Sequence, residues 1–286
     1  MTIELSNVSK TYKKNQVLKN INLIFEENTI YGLLGRNGAG KSTLLNIINN
    51  RIFSDTGECL FQNETNLDNE KIQRHFFLTS ENDLYPDQMK IKNIFKWTEE
   101  FYGDFDFGLA NQLAAKFKLD TTKKFGKLST GYRSIAKLIV ALCVPCRFIF
   151  LDEPVLGLDA THRDLFYKEL IAAYMDRPRT FVISTHLIEE IANLLEKIIL
   201  IKNGEIILNA STEEILSRAS TISGEKFAVE TFIKPYQIIG TDSLGNHMTA
   251  YTLDVIDRTT LPEEIIIEPM DLQKLFINLT KEESEL

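Results

Sequence analysis

The chain has 286 residues, 44% of them apolar and 25% charged, an ordinary globular composition long enough for one large domain or a domain with an appendage. Its net charge of -8, from 32 basic and 40 acidic side chains, disfavours a broad nucleic-acid face, which needs clustered Lys and Arg. No apolar run reaches the roughly 20 residues that span a bilayer, and the first residues carry no basic or apolar leader, so the expectation is a cytoplasmic chain that meets a membrane only through a partner.

In chain order, residues 2–8 and 17–25 alternate apolar and polar side chains, as an antiparallel pair joined near 13–15 would. Residues 29–34 form a short β-prone run. Residues 41–50 follow with helical spacing. Strands are predicted at 57–62 and 72–78, then helices at 91–102, 109–118 and about 133–143. The run Phe148-Ile-Phe-Leu-Asp152 is continuously apolar before its last residue, the pattern of a central strand covered on both faces. A helix is expected at 160–175, a second buried strand at 180–184, a helix at 187–196, and a hairpin at 197–208 turning on Asn203-Gly204. Strands alternating with helices in this way give an α/β fold with a mainly parallel central sheet. Composition becomes small and polar near 217. The expected division is therefore 1–217, with a helical insert at about 84–143, and a small α+β appendage at 220–286. Within the appendage, strands are predicted at 227–233, 248–256 and 263–268, and an amphipathic segment at 271–279.

Two motifs carry the chemistry. Gly35-Arg-Asn-Gly-Ala-Gly-Lys-Ser-Thr43 is a complete G-x-x-x-x-G-K-S phosphate loop, placed between a predicted strand and a predicted helix as such a loop requires. Its glycines let main-chain N–H groups close around phosphate oxygens, and the helix start adds the positive end of its dipole. Lys41 reaches the β- and γ-phosphates, Ser42 ligates Mg²⁺, and Asn37, Ala39 and Thr43 complete the cradle with Gly35, Gly38 and Gly40. The second motif is Asp152-Glu153 at the carboxyl end of the buried strand, where open α/β sheets bind ligands. Asp152 is placed to hold Mg²⁺, and Glu153 to polarise an attacking water. Of the three cysteines, Cys143 and Cys146 match the C-x-x-C spacing, but the pair falls at the far end of an apolar helix just before a buried strand, and Cys143 is read as core rather than as part of a redox pair.

Between these motifs, Leu128-Ser-Thr-Gly-Tyr132 precedes a helix. With it, the chain resembles the ATP-binding subunits of ATP-binding cassette (ABC) transporters over residues 1 to about 215. Their signature is Leu-Ser-Gly-Gly-Gln; Thr130 and Tyr132 depart from it, while Leu128, Ser129 and Gly131 match. The resemblance implies a P-loop NTPase cassette with an N-terminal antiparallel β part, ATP and Mg²⁺ as cofactors, and ATP hydrolysis. It places Tyr12 against adenine, Asp159 (in Val155-Leu-Gly-Leu-Asp159) at the dimer interface, and His186 as the switch histidine. His75, His162 and His247 match nothing. Where the family has a Mg²⁺-ligating Gln, this chain has Ser80, with Glu81 beside it.

The resemblance further implies two cassettes head to tail, each ATP held between the phosphate loop of one and Ser129 and Gly131 of the other. The second cassette is an identical copy or a relative. The partner is an integral membrane transport subunit, which would hold the chain at the cytoplasmic face of the membrane. The tail Asp271-Leu-Gln-Lys-Leu-Phe-Ile-Asn-Leu-Thr280 is similar to cassettes of multidrug and antimicrobial-peptide exporters of Gram-positive bacteria, including the phenol-soluble-modulin type, so export is expected. The competing readings are a soluble cassette ATPase of translation or DNA repair, and an ATP-dependent dimerisation switch without transport.

Overall fold

The computed structural model describes residues 1–256 and 261–281. Strands β1 (Thr2–Tyr12) and β2 (Asn15–Glu26) pair antiparallel and continue through β4 (Thr56–Phe61) to the short β5 (Glu64–Thr65), in the order β2-β1-β4-β5. Between them lie β3 (Ile30–Leu34) and α1 (Lys41–Ile48). The expected strand at 72–78 divides in two. Asn69 accepts a hydrogen bond from the Ile72 amide and caps helix α2 (Glu70–Gln73), and β6 (Phe76–Thr79) begins only after that turn. Helices α3 (Ile91–Tyr102), α4 (Phe107–Lys116) and α5 (Thr130–Cys143) come next, followed by β7 (Phe148–Asp152), α6 (Ala160–Asp176) and β8 (Thr180–Ser184). The helix expected at 187–196 is shorter than its spacing implied: α7 (Ile188–Ile191) runs into a 3-10 turn at Ala192–Leu194. The hairpin β9 (Lys197–Lys202) and β10 (Glu205–Ser211) turns where Asn203-Gly204 predicted, both residues having left-handed φ.

The central sheet has the order β10-β9-β3-β8-β7-β6, parallel except for its β10 edge. Its strands feed two cores because successive side chains point to opposite faces. Phe148 and Phe150 of β7 and Val182 of β8 pack with α1 and the N-terminal sheet. Ile149, Leu151, Phe181 and Ile183 pack with α3 to α6 on the other face. The apolar run at 148–151 is therefore a strand buried between two layers.

After α8 (Thr212–Arg218), strands β11 (Ser220–Glu225), β12 (Ile238–Leu244), β13 (His247–Thr252) and β14 (Ile265–Pro269) form an antiparallel sheet in the order β12-β13-β11-β14. The predicted strand at 227–233 is instead helix α9 (Lys226–Phe232). Val229, Phe232 and Ile233 recur at helical spacing and pack on Ile222 and Ala250 of the sheet. The sequence reading missed β12, whose Gly240 and Asp242 are poor strand formers. Helix α10 (Leu272–Thr280) occupies the amphipathic segment expected at 271–279. Its Leu272 and Leu275 join the core that holds α3 to α6, and Lys202 Nζ donates to Leu279 O at 3.0 Å and Lys281 O at 2.7 Å. Residues 257–260 and 282–286 of the expected appendage lie outside the described residues. No helix among the described residues is long and apolar enough to cross a membrane.

Candidate active site

The order β3-β8-β7, all parallel, brings three chain segments to the carboxyl end of the sheet. The phosphate loop leaves β3, His186 follows β8, and Asp152 and Glu153 end and follow β7. Gly38 and Gly40 have φ of 81° and 112°, a region that favours glycine. At Gly35 a Cβ would stand 2.5 Å from Ile201 O, so the loop can turn against β9 only without a side chain. Gly38 has nothing within 4 Å of the place a Cβ would take. Helix α1 has no side-chain cap, so the N–H groups of its first turn keep their capacity for an anion.

Lys41 is buried, and its Nζ donates to Gly35 O at 2.6 Å and Arg36 O at 3.3 Å. Burial lowers its pKa, an effect opposed by the charges of Glu153 and Asp152, which stand near enough to act on it. Ser42 is exposed at the helix start, with Thr43 half-buried beside it. Asp152 is buried, and its Oδ1 has no hydrogen-bond partner among the described residues. A buried carboxylate oxygen left without a donor is costly, and it suits a hard cation that takes oxygen ligands. Together with the open loop and the exposed Ser42 hydroxyl, this donor set fits a magnesium–triphosphate group.

Glu153 adopts φ of 48°, unusual for a residue with a side chain, and its amide donates to Ser184 O at 2.8 Å. This bend turns the chain out of β7. The Glu153 carboxylate, 14% exposed, meets His186 Nδ1 at 2.9 Å, while the imidazole remains 52% exposed. The pair thus presents a sheltered carboxylate oriented by a solvent-facing ring.

The remaining sequence-predicted residues lie on other elements. Ser129 caps α5, accepting from the Tyr132 amide at 3.4 Å, and a Cβ on Gly131 would lie 2.9 Å from Gly157 O. No hydrogen bond among the described residues joins Ser129 or Gly131 to Lys41 or Ser42. Asp159 caps α6, accepting from the His162 amide at 2.9 Å; that hydrogen bond and the one to the His162 ring hold its carboxyl below the usual value. Tyr12 is 46% exposed at the end of β1, with Lys10 Nζ 5.7 Å from its ring centre. Ser80 and Glu81 follow β6 and offer their main-chain carbonyls to Lys137 Nζ at 2.9 and 3.0 Å. Sequence reading missed Lys137. The signal was a lone charge inside Ile135-Ala-Lys-Leu-Ile-Val140, an otherwise apolar stretch of helix. Cys143 is free and buried, as its core reading expected, and Cys146 is free and buried as well.

A family model described as ABC transporter matches residues 18–156. The ABC transporter ATP-binding protein YtrB of Bacillus subtilis is 32% identical over 196 residues, covering 68% of this chain and 67% of the relative. The ribose import ATP-binding protein RbsA of Lacticaseibacillus paracasei is 26% identical over 227 residues, covering 75% of this chain; the chain spans 45% of that relative's length. Among solved structures, an ATP-binding subunit of an ABC transporter superposes with a TM-score of 0.68 at 19% identity, over 76% of this chain and 92% of the other. A dimeric cassette, MJ0796, superposes with a TM-score of 0.64 at 26% identity, over 73% and 98%. With its phosphate loop, Asp152 and the Glu153–His186 pair gathered at the carboxyl end of the central strands, the chain belongs to the ABC transporter ATP-binding family, the ATP-hydrolysing cassettes.

Proposed function

We propose that this cassette binds ATP with Mg²⁺ between its own phosphate loop and the Ser129–Gly131 signature of a second cassette, and that hydrolysis drives a separate membrane subunit. The observation that carries the reading is the convergence of Lys41, Asp152 with its unpartnered oxygen, and the Glu153–His186 pair. In this reading Gly35, Asn37, Gly38, Ala39, Gly40 and Thr43 cradle the phosphates through the main chain, and Tyr12 stacks on the base. Ser42, Asp152 and an oxygen of Ser80 or Glu81 hold Mg²⁺. Bound there, the ion neutralises charge on the phosphate oxygens. Glu153 takes the proton of the attacking water, and His186 holds that carboxylate in place. Lys41 offsets charge on the γ-phosphate.

The signature is the piece this site lacks within one chain. Ser129 and the Gly131 amide open an α-helix, so a second cassette presenting them would complete the cage around the γ-phosphate. Asp159 would lie at the same interface. The dimeric state of the solved MJ0796 cassette supports this arrangement. Residues 1–217 form the cassette in this reading and 220–286 an appendage to it.

A membrane subunit would dock on a groove of about 260 Å³ between the segment after β6 and α3, where Leu84, Trp97 and Phe101 expose apolar surface. Export remains part of the proposal on the strength of the tail at 271–280. The cassette is shared with ribose-import relatives, so direction would be set by the membrane subunit.

Retention of labelled ATP with Mg²⁺ by the purified chain tests the reading. Lys41→Ala is expected to weaken retention by at least about tenfold. Equal retention by the parent and Lys41→Ala would overturn the assignment. Phosphate release on mixing with ATP separates an ATPase from a dimerisation switch.

A further inference from the structure

Lys137 is the charged residue on the apolar stretch of α5, and it is only 8% exposed. An ammonium removed from water persists where oxygen acceptors replace the water. Here all three come from one short segment: Ser80 O at 2.9 Å, Glu81 O at 3.0 Å and Asp83 Oδ1 at 3.2 Å. Asp83 is shared. Its Oδ2 accepts from Arg133 Nη1 at 2.9 Å, and Arg133, one turn before Lys137, also donates to Gly126 O and Leu128 O. Residues 133 and 137 lie on one helix face, so the 80–83 segment is fastened to α5 at two successive turns.

The same helix grips the segment after Glu153. Ser134 Oγ donates to Leu156 O at 3.1 Å, and Gly131 packs where a Cβ would stand 2.9 Å from Gly157 O. A cavity of about 90 Å³ remains between these attachments, lined by Ser80, Asp83, Arg133, Lys137, Asp152 and Glu153. The 80–83 segment leaves β6 beside the end of β7, and its Ser80, Glu81 and Asp83 line that cavity together with the two carboxylates that end and follow β7.

We propose that Lys137 is a positioning residue for ATP hydrolysis: its three hydrogen bonds fix the 80–83 segment beside Asp152 and Glu153 and lock that segment to the helix that begins at Ser129. This rests on the ATPase reading above, with Ser80 or Glu81 beside the metal. Lys137 acts through the main chain of the segment, so it governs turnover and not the grip on the nucleotide. It also makes the Ser80 position and the signature move as one body. Docking in the groove beside Leu84 would therefore reach Ser129 through α5.

The test uses the full chain and three variants. Lys137→Met keeps the buried stem and removes the donors. Asp83→Asn leaves the ammonium its two carbonyls and weakens the third bond. Lys137→Arg restores a cation with several donors. In Lys137→Met, the dissociation constant for a fluorescent ATP analogue should stay within about twofold of the parent, while kcat falls about tenfold or more and half-saturating Mg²⁺ rises several-fold. Asp83→Asn should move the same way by a smaller factor, and Lys137→Arg should regain part of the lost kcat. If Lys137→Met fails to fold, Asp83→Asn decides. The proposal is overturned if the folded variants hydrolyse ATP within twofold of the parent at every Mg²⁺ concentration, or if affinity and kcat fall together by the same factor. A parent chain that neither binds nor hydrolyses ATP overturns the ATPase reading itself, an outcome distinct from an active parent beside unaffected variants.

Discussion

Glu153 Oε2 and His186 Nδ1 stand 2.9 Å apart across neighbouring parallel strands, although 33 residues separate them in the chain. Two local devices create the contact. The Glu153 amide is tied to Ser184 O, and its left-handed φ swings the side chain off the axis of β7 toward the end of β8. The carboxylate is thereby held near the phosphate loop in one orientation, as a proton acceptor must be before substrate arrives.

Replacing Glu153 with Gln keeps the shape and removes the base. We expect ATP to bind as in the parent, with turnover lower by about a hundredfold or more. With hydrolysis blocked, the two-cassette state should accumulate. Size-exclusion chromatography with ATP and Mg²⁺ would show it; a monomeric profile with parental turnover would contradict the role.

At Gly35 an added Cβ would meet the main-chain oxygen of Ile201 at 2.5 Å, and a strand backbone has little room to yield. Gly35→Ala should therefore destabilise the fold by roughly 1–3 kcal/mol, the usual cost of overpacking, and disturb the loop itself. Thermal melting with and without ATP checks both: a lower melting temperature and a smaller ATP-induced rise are expected. Gly38→Ala meets no neighbour but must hold φ of 81°, so its cost should come from backbone strain alone.

Trp97 is the chain's single tryptophan and is 47% exposed in the groove beside Leu84 and Phe101. Its emission should shift to the blue when a membrane subunit covers the groove, because the indole leaves water. Phe101→Asp should abolish that shift and transport-coupled turnover while leaving the ATPase rate of the isolated cassette within about twofold, because the Phe101 side chain is exposed and is not one of the nucleotide-site residues. Unchanged coupling in reconstituted vesicles would move the docking surface elsewhere.

Burial pushes the thiols of Cys59, Cys143 and Cys146 up to about 12. The thiolate is the reactive form, so all three should resist iodoacetamide in the native chain, and raising the pH from 7 to 9 should speed labelling little. A thiol with the ordinary pKa of about 8.5 would gain strongly over the same range. Unfolding in urea should expose all three, and mass spectrometry counts the adducts. Rapid native labelling of Cys143 or Cys146 would revive the redox reading of Cys143-Val-Pro-Cys146.

Local chemistry was legible in the sequence wherever short-range spacing decides the outcome. The phosphate loop needs glycines and a lysine at fixed offsets, the buried strand ends in Asp152, and Asn203-Gly204 makes a hairpin turn; each was readable because neighbouring residues impose it. Misreadings fell where burial depends on distant partners. Residues 227–233 looked like a strand until the sheet of β11 and β13 gave Val229 and Phe232 a surface for a helix to cover. Strand β12, with a polar middle, is stabilised by pairing with β13, which no local pattern encodes.

Only the tertiary structure decided the rest of the site. It brought His186 to Glu153, left Asp152 Oδ1 without a donor, and buried Lys137 beneath the carbonyls of Ser80 and Glu81. Strand order and the packing of α5 against two segments set these relations. Both depend on how much apolar surface the whole chain can bury at once, a quantity that no stretch of sequence holds alone.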